Sequence, residues 1–136
     1  MIVDTSVLVA LIDPRDGHHK KARAQFEVYG PQDVPQPVFG EFLQVVEFAS
    51  RRNDGGAAGR KAARSALDVV TRVLRFHVAP VQNWGEAVEL YEENGTLSFA
   101  DACGVAEAVH VDDLWTMDLR QARVLKSRLG KADRSR

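Results

Sequence analysis

Short apolar runs and amphipathic segments alternate along the chain. Residues 1–3 and 114–117 are apolar runs of strand length. Residues 38–52 carry an apolar stripe at helical spacing, made of Phe39, Phe42, Leu43, Val46 and Ala49. We predict strands at 1–3, 75–79 and 114–117, and helices at 7–12, 18–29, 38–52, 57–74, 84–93, 98–110 and 120–127. Residues 31–37, PQDVPQP, are predicted to be an extended loop, and Asp112 and Asp113 a turn.

The alternation of strands and helices indicates a fold class. Strands separated by helical stretches are typical of a parallel sheet sandwiched between helices. In such sheets, functional residues gather beyond the carboxyl ends of the strands. The residues that directly follow the predicted strands are therefore the first candidates for a site.

The composition describes one domain of nearly balanced charge. A chain of 136 residues, 45% of them hydrophobic, is long enough for one domain with its own core. We assign residues 1–127 to it and residues 128–136 to a polar, flexible tail. The 18 basic and 19 acidic residues nearly cancel, so binding to nucleic acid would need a local basic patch.

The apolar segments and the single cysteine indicate the compartment. No apolar run approaches the ~20 residues that span a bilayer, and the first residues lack a basic leader. Cys103 has no partner for an internal disulfide and lies in an apolar stretch, as an inert thiol in a reducing compartment does. We expect a cytoplasmic protein with neither a signal peptide nor a membrane helix.

Acidic residues stand where a sheet of this kind would bring them together. Asp4 and Asp118 directly follow the strands at 1–3 and 114–117, which we expect to be neighbours. Glu41 lies on the shoulder of an apolar helix stripe, and Asp101 lies in an almost entirely apolar helix. We call Asp4, Glu41, Asp101 and Asp118 the acidic centre.

A cluster of carboxylates needs protons or a cation. Two charges roughly 4 Å apart repel by about 4 kcal/mol at an effective dielectric constant near 20. Oxygen ligands suit Mg²⁺ or Mn²⁺, whereas zinc is disfavoured without a set of Cys and His ligands. Such ions activate water and neutralise charge on a phosphate, so the predicted chemistry is hydrolysis of a phosphodiester bond.

Each acid also has a structural interpretation. Asp4 can cap a helix, although Thr5 and Ser6 beside it offer capping oxygens as well. Glu41 can be a surface residue, and Asp101 can complete a variant capping box with Ser98. Asp118 can favour the start of its helix through the macrodipole. The functional and structural interpretations of Asp101 are compatible.

Hydroxyl groups beside the acids are candidates for a supporting role. Thr5, Ser6 and Thr116 can orient water bound to a metal ion by hydrogen bonds, or can cap helices. None is expected to act as a nucleophile. Trp84 and Trp115 follow helix or strand periodicity, which favours core packing over base stacking.

A basic cluster flanks the glycine-rich turn after residue 52. Arg51 and Arg52 are candidate contacts for RNA phosphates, together with Arg60, Lys61 and Arg64. A solvated surface without a ligand is the alternative.

Four motifs in order resemble the PIN-domain family and, within it, the toxin nucleases of bacterial VapBC-type toxin-antitoxin pairs. MIVDTSVLVALID matches the opening motif with Asp4, and FGEF in a helix matches the second motif with Glu41. LSFADA matches the third with Asp101, and WTMD matches the Thr-x-Asp motif with Thr116 and Asp118. The four span residues 1 to 118.

The resemblance has implications for fold, activity and partners. It implies a flavodoxin-like, three-layer α/β/α sandwich with a central parallel sheet of four or five strands. It implies an Mg²⁺- or Mn²⁺-dependent endoribonuclease, a homodimer, and inhibition by a cognate VapB-type antitoxin whose C-terminal segment fills the active groove. As a mechanistic hypothesis, Asp4, Asp101 and Asp118 hold the ions, directly or through water, and Glu41 orients a water molecule.

The chain departs from the family pattern at two places. The family often has an aromatic residue shortly after the last acid, whereas residues 119–122 here are LRQA. It also commonly ends in a short apolar strand, which the polar end of this chain does not supply.

Two other functions compete with the toxin. One is an RNA-processing PIN nuclease without an antitoxin, and the other is a catalytically silent RNA- or protein-binding module on the same fold. The short single-domain chain favours the toxin, and retention of all four acids argues against the silent module.

Overall fold

The computed structural model describes residues 1–111 and 113–134 of the chain. The strands are β1 (Ile2–Val3), β2 (Asp33–Pro35), β3 (His77–Ala79) and β4 (Leu114–Trp115). The helices are α1 (Thr5–Ile12), α2 (His19–Tyr29), α3 (Gln36–Asp54), α4 (Gly56–Asp68), α5 (Trp84–Glu93), α6 (Phe99–Val111) and α7 (Leu119–Arg134), and a π-helical turn (Val69–Val73) follows α4. None of the helices described combines the length and the apolar character of a membrane span.

The strands form one parallel sheet in the order β3-β2-β1-β4. In register, Ile2 of β1 faces Asp33 of β2 on one side and Leu114 of β4 on the other. This confirms that the strands preceding Asp4 and Asp118 are neighbours. Both therefore deliver their following residues to the same edge of the sheet, but β4 ends two residues earlier than predicted, so Thr116 and not Asp118 directly follows it.

Helices cover both faces of the sheet. Successive residues of a strand point to opposite faces, and β1 divides accordingly. Val3 packs into a cluster with apolar residues of α1 to α4, and Ile2 packs into a second cluster with residues of α5 to α7. The predicted three-layer α/β/α sandwich is confirmed, with four strands in the part of the chain described.

One predicted loop contains a strand. Residues 33–35 form β2, which pairs with β1 and β3 and buries Val34 completely. Three residues, the last of them a proline, are too few to show a periodic pattern, so pairing with the neighbouring strands determines this strand. The predicted helix at 57–74 also differs, since regular α-helix ends at Asp68 and the π-helical turn follows it.

The last helix is longer than predicted. α7 continues to Arg134 instead of ending near residue 127, so residues 128–134 are helical. Leu125 and Leu129 belong to the cluster between α5, α6 and α7, and Arg128 pairs with Glu86, Glu89 and Glu93 of α5. The remainder of the predicted tail, residues 135–136, and Asp112 of the predicted turn lie outside the described residues.

Candidate active site

Asp4 is a buried carboxylate at the carboxyl end of β1. Asp4 is only 2% exposed. The backbone N–H of Asp4 donates to the carbonyl oxygen of Trp115 at 3.0 Å, which continues the pairing with β4. Asp4 is also the N-cap of α1, because Oδ2 accepts from the N–H of Ser6 at 3.3 Å. Of the capping residues that the sequence offers, Asp4 and neither Thr5 nor Ser6 therefore caps this helix.

Two hydroxyl groups fix the Asp4 carboxylate. Ser6 Oγ donates to Asp4 Oδ2 at 2.6 Å, and Thr116 Oγ1 donates to the same oxygen at 2.9 Å. The same hydroxyl oxygens accept from the backbone N–H groups of Met117 and Asp118, both at 2.9 Å. Each hydroxyl thus gives its single proton to Asp4 and holds the segment after β4 in place. Among the described residues, all hydrogen bonds to this carboxylate go to Oδ2, which leaves Oδ1 for a ligand.

Asp101 is held at the start of α6 by a capping box. Its N–H donates to Ser98 Oγ at 3.1 Å, and the N–H of Ser98 donates to Asp101 Oδ2 at 3.2 Å. Ser98 Oγ in turn donates to Glu41 Oε2 at 2.9 Å. The hydroxyl of Ser98 therefore joins the acids of α3 and α6.

The charges of three acids act on one another. Partial burial raises the pKa of Asp101, and the charges of Asp4 and Glu41 raise it further, against the hydrogen bonds from Ser98, which lower it. Two carboxylates near a third, in a half-buried site, make a region where a positive charge is stabilised. The structure thus brings Asp4, Glu41 and Asp101 into one electrostatic field.

Asp118 has a different environment. Arg120 donates to its carboxylate from Nε at 3.2 Å and from Nη2 at 2.9 Å, and the N–H of Arg120 adds a bond of 2.9 Å to Oδ1. The Arg120 side chain is the main reason that the pKa of Asp118 is lowered, since burial acts in the opposite direction. Asp118 therefore differs from the other acids of the centre in being already paired with a cation of the chain.

Comparison with family models matches residues 1–126 to the PIN domain. The chain belongs to the PIN domain family. The match covers the four motifs and all elements of the sheet.

A solved structure with the same fold supports the architecture of this PIN domain. It is VapC20 of Mycobacterium tuberculosis, a toxin that cleaves the sarcin-ricin loop, with a TM-score of 0.69 and 21% sequence identity. The alignment covers 90% of this chain and 93% of VapC20. Comparison with curated proteins gave no match.

The residues of this PIN domain fit a divalent cation that keeps several water ligands better than one bound by protein side chains alone. Within residues 1–111 and 113–134, no three His, Cys, Asp or Glu side chains are arranged to hold a metal ion together. Mg²⁺, however, takes only one or two carboxylates directly and keeps several water molecules. The free Oδ1 of Asp4 and the negative field around Asp101 suit that mode of binding.

Gln121 is a residue of this site that sequence reasoning missed. It is 2% exposed, and its Nε2 donates to Asp101 Oδ1 at 3.0 Å. Its Oε1 is buried without a hydrogen-bond partner in the described structure. The signal available in the sequence was its spacing, three residues after Asp118 on the same helix face.

One predicted supporting residue, Thr5, and one predicted core residue, Trp84, lie elsewhere. Thr5 Oγ1 donates to the carbonyl oxygen of Val38 at 3.4 Å, so this hydroxyl fastens α1 to α3 instead of orienting an acid. Trp115 is buried as predicted, but Trp84 is 56% exposed, so the prediction that it packs in the core is wrong.

Arg51 and Arg52 lie in the last turn of α3 and are exposed. Glu41 lies in the same helix, and at 1.5 Å per residue Arg52 is about 16 Å from it along the axis. The two arginines are therefore outside the acidic centre but on the helix that supplies one of its acids.

Proposed function

We propose that this PIN domain is an Mg²⁺- or Mn²⁺-dependent endoribonuclease and the toxin of a VapBC-type toxin-antitoxin pair. The observation that carries the proposal is the convergence of buried Asp4, half-buried Asp101 and Glu41 at the carboxyl edge of a parallel sheet. Membership of the PIN family and the fold shared with an RNA-cleaving toxin support the same conclusion.

The proposed roles follow from the hydrogen bonds of each acid. Asp4, held by Ser6 and Thr116, presents Oδ1 to the cation. Asp101, held by Ser98, binds it directly or through water. A divalent cation bound there supplies activation of water and neutralises charge on the phosphate being cleaved.

Asp118 and Glu41 complete the set. Asp118 would bind the cation directly or through water, and its carboxylate would be shared between the cation and Arg120. Glu41 orients an attacking water molecule, and its hydrogen bond with Ser98 fixes the carboxylate for that purpose.

The surface of α3 offers a path for RNA away from the acids. Glu41, Val45, Phe48 and Arg52 follow one another at spacings of four, three and four residues, so they share one face of the helix. Val45 is 42% exposed and Phe48 62% exposed. A strand of RNA that is cut near Glu41 would reach Arg52 along this face and Arg51 beside it in the same turn, which supports their proposed role as phosphate contacts.

An apolar groove supports the proposed antitoxin. It lies between α1, α3 and α4, has a volume of about 440 Å³, and is lined by residues that include Val9, Ile12, Val46, Ala49 and Val69. Val45 also lines the groove, which therefore borders the face of α3 that carries Glu41 and Arg52. An antitoxin segment bound in the groove would block the route of RNA to the acidic centre.

Two further features support the proposed homodimer and cytoplasmic location. Trp84 and Tyr91 are exposed on one face of α5, where an aromatic patch suits contact with a second copy. Cys103 is a buried free thiol, as expected in a reducing compartment.

Cleavage of a defined RNA panel tests the proposal. The panel contains single-stranded RNA and a sarcin-ricin stem-loop, and the protein is assayed with Mg²⁺, with Mn²⁺ and with EDTA. Asp101→Asn should lose activity, whereas Asp113→Asn, which changes an exposed acid on the chain before β4, should keep it. The purified product of an adjacent antitoxin-like reading frame should stop cleavage by the wild type.

Three results would contradict parts of this proposal. Cleavage that persists in EDTA or in Asp101→Asn would contradict the metal-dependent acidic centre. Absence of cleavage of every RNA would favour a silent binding module. Cleavage that no neighbouring gene product inhibits would favour an RNA-processing nuclease.

A further inference from the structure

Gln121 occupies a position that the packing of α7 would give to an apolar residue. Gln121, Leu125 and Leu129 are spaced by four residues and lie on the inner face of the helix, and Leu125 and Leu129 pack into the core between α5, α6 and α7. Gln121 is as deeply buried as Asp4, at 2% exposure. A polar residue at such a position costs free energy unless its polar atoms are paired.

The amide of Gln121 is paired at one end only. Nε2 donates to Asp101 Oδ1 at 3.0 Å, and since an ionised carboxylate only accepts, this bond fixes which end of the amide faces Asp101. Oε1 then points to a place where the described residues offer it no donor. Buried polar atoms without a partner are rare in folded proteins, and each calls for a missing donor at that place.

The same amide also faces the last acid of the centre. The pKa of Asp118 is lowered mainly by Arg120, and the side chain of Gln121 contributes in the same direction. Gln121 therefore acts on two acids of the centre, on Asp101 through a hydrogen bond and on Asp118 through the pKa of its carboxyl group.

We propose that Gln121 is a positioning residue of the acidic centre: Nε2 holds Asp101 in the orientation that receives the cation, and Oε1 accepts a hydrogen bond from water that accompanies Mg²⁺ or Mn²⁺. This inference rests on the proposed function, since it assumes that the acidic centre binds a divalent cation. It assigns the buried amide a role that a packing residue would not have. Residues that orient metal ligands in this way commonly contribute 10- to 100-fold to metal affinity or activity.

The test compares Gln121→Met with wild type and with Gln44→Met. Methionine fills nearly the same volume without donor or acceptor, and Gln44 is an exposed residue of α3 that provides a matched control. Three quantities are measured: Mn²⁺ affinity by calorimetry, the unfolding midpoint in EDTA, and kcat and KM for RNA cleavage.

A positioning role and a packing role give different results. For Gln121→Met we expect Mn²⁺ affinity and kcat to fall by about 10-fold or more, with KM nearly unchanged. The unfolding midpoint in EDTA should stay the same or rise, because the variant removes an unpaired buried oxygen. Gln44→Met should match wild type in all three. A lower unfolding midpoint with unchanged Mn²⁺ affinity would overturn the inference.

A measurement on wild-type protein keeps the inference testable if Gln121→Met does not fold. The side-chain amide NMR signals of Gln121 should shift on titration with Mg²⁺, while those of Gln44 should not. Unchanged Gln121 signals, in a protein that binds Mg²⁺ and cleaves RNA, would overturn the inference and leave the proposed function intact. A wild-type protein that neither binds Mn²⁺ nor cleaves RNA would overturn both.

Discussion

At the scale of single residues, Asp118 and Asp101 show opposite responses to their surroundings. The pKa of Asp101 is raised by burial and by neighbouring carboxylates, whereas the pKa of Asp118 is lowered, chiefly by Arg120. Arg120 thus acts as a built-in counter-charge at one edge of the acidic centre. A divalent cation that uses Asp118 has to share the carboxylate with it.

Removal of the Arg120 side chain should raise the pKa of Asp118. In Arg120→Ala we expect the pKa of Asp118 to rise, as followed by carboxyl carbon NMR against pH, while Arg123→Ala leaves it unchanged. A depressed pKa stabilises the fold above the pKa of the unfolded chain, and this stabilisation is lost as the pH falls through the folded-state pKa. The loss of this stabilisation on acidification is thus confined to pH below about 4, and the stabilisation present above that pH is small because the Arg120 side chain is 61% exposed. An unchanged Asp118 pKa in Arg120→Ala would contradict the pairing.

At this scale, the sequence patterns predict which acids lie near one another better than they predict which residues support the acids. Asp4, Glu41 and Asp101 were predicted from strand ends and helix patterns, and the structure places them in one field. Gln121 was missed because a glutamine in a helix usually indicates a solvated face, and its burial depends on how α7 packs. Thr5 was assigned to the acids by adjacency alone, yet its hydroxyl points toward Val38.

At the scale of elements, the close packing of α3 and α4 depends on a glycine. A Cβ at Gly59 would lie 2.6 Å from the carbonyl oxygen of Glu47 and 3.2 Å from Arg51 Cβ. Helix α3, which carries Glu41 and the two arginines, thus packs against α4 at a distance that no residue larger than glycine at position 59 allows.

Two glycine substitutions should therefore have opposite effects. Overpacking costs roughly 1–3 kcal/mol, and Gly59→Ala belongs at the upper end because the clash is with a backbone carbonyl oxygen, so the cost exceeds the about 1 kcal/mol that alanine gains in helix propensity. Gly104→Ala, in α6, should stabilise by about 0.5–1 kcal/mol, because the new Cβ would lie at an ordinary 3.6 Å from Val38 Cγ2. Urea unfolding measures the free energy of unfolding of both variants. A change of the same sign in the two would contradict the close packing at Gly59 and the room for a Cβ at Gly104.

Predictions for elements succeeded where one segment carried its own pattern. Helix α5 has the predicted bounds, and β1 and β4 pair as expected. The strand β2 was missed because pairing on both sides, and not local sequence, determines it. The end of α7 was missed because Arg128, a polar residue, is held by three glutamates of α5.

At the scale of the whole molecule, the sheet topology accounts for the location of the acidic centre. Adjacent parallel strands β1 and β4 deliver Asp4 and Thr116 to one edge, and helices from both layers add Glu41 and Asp101. The fold class was predictable because alternating strands and helices admit few arrangements. The exposed groove and aromatic patch were not predictable, since exposure is a property of the assembled layers.

The most direct test of the central claim is RNA cleavage by Asp4→Asn beside wild type, in Mg²⁺, in Mn²⁺ and in EDTA. Asparagine caps helices as well as aspartate, and its oxygen can accept from Ser6 and Thr116, so the variant should keep its fold and cooperative unfolding. We predict metal-dependent cleavage by wild type and a loss of at least about 100-fold in the variant, because a charge facing the cation is removed. Equal cleavage by a folded Asp4→Asn would contradict the assignment of the acidic centre.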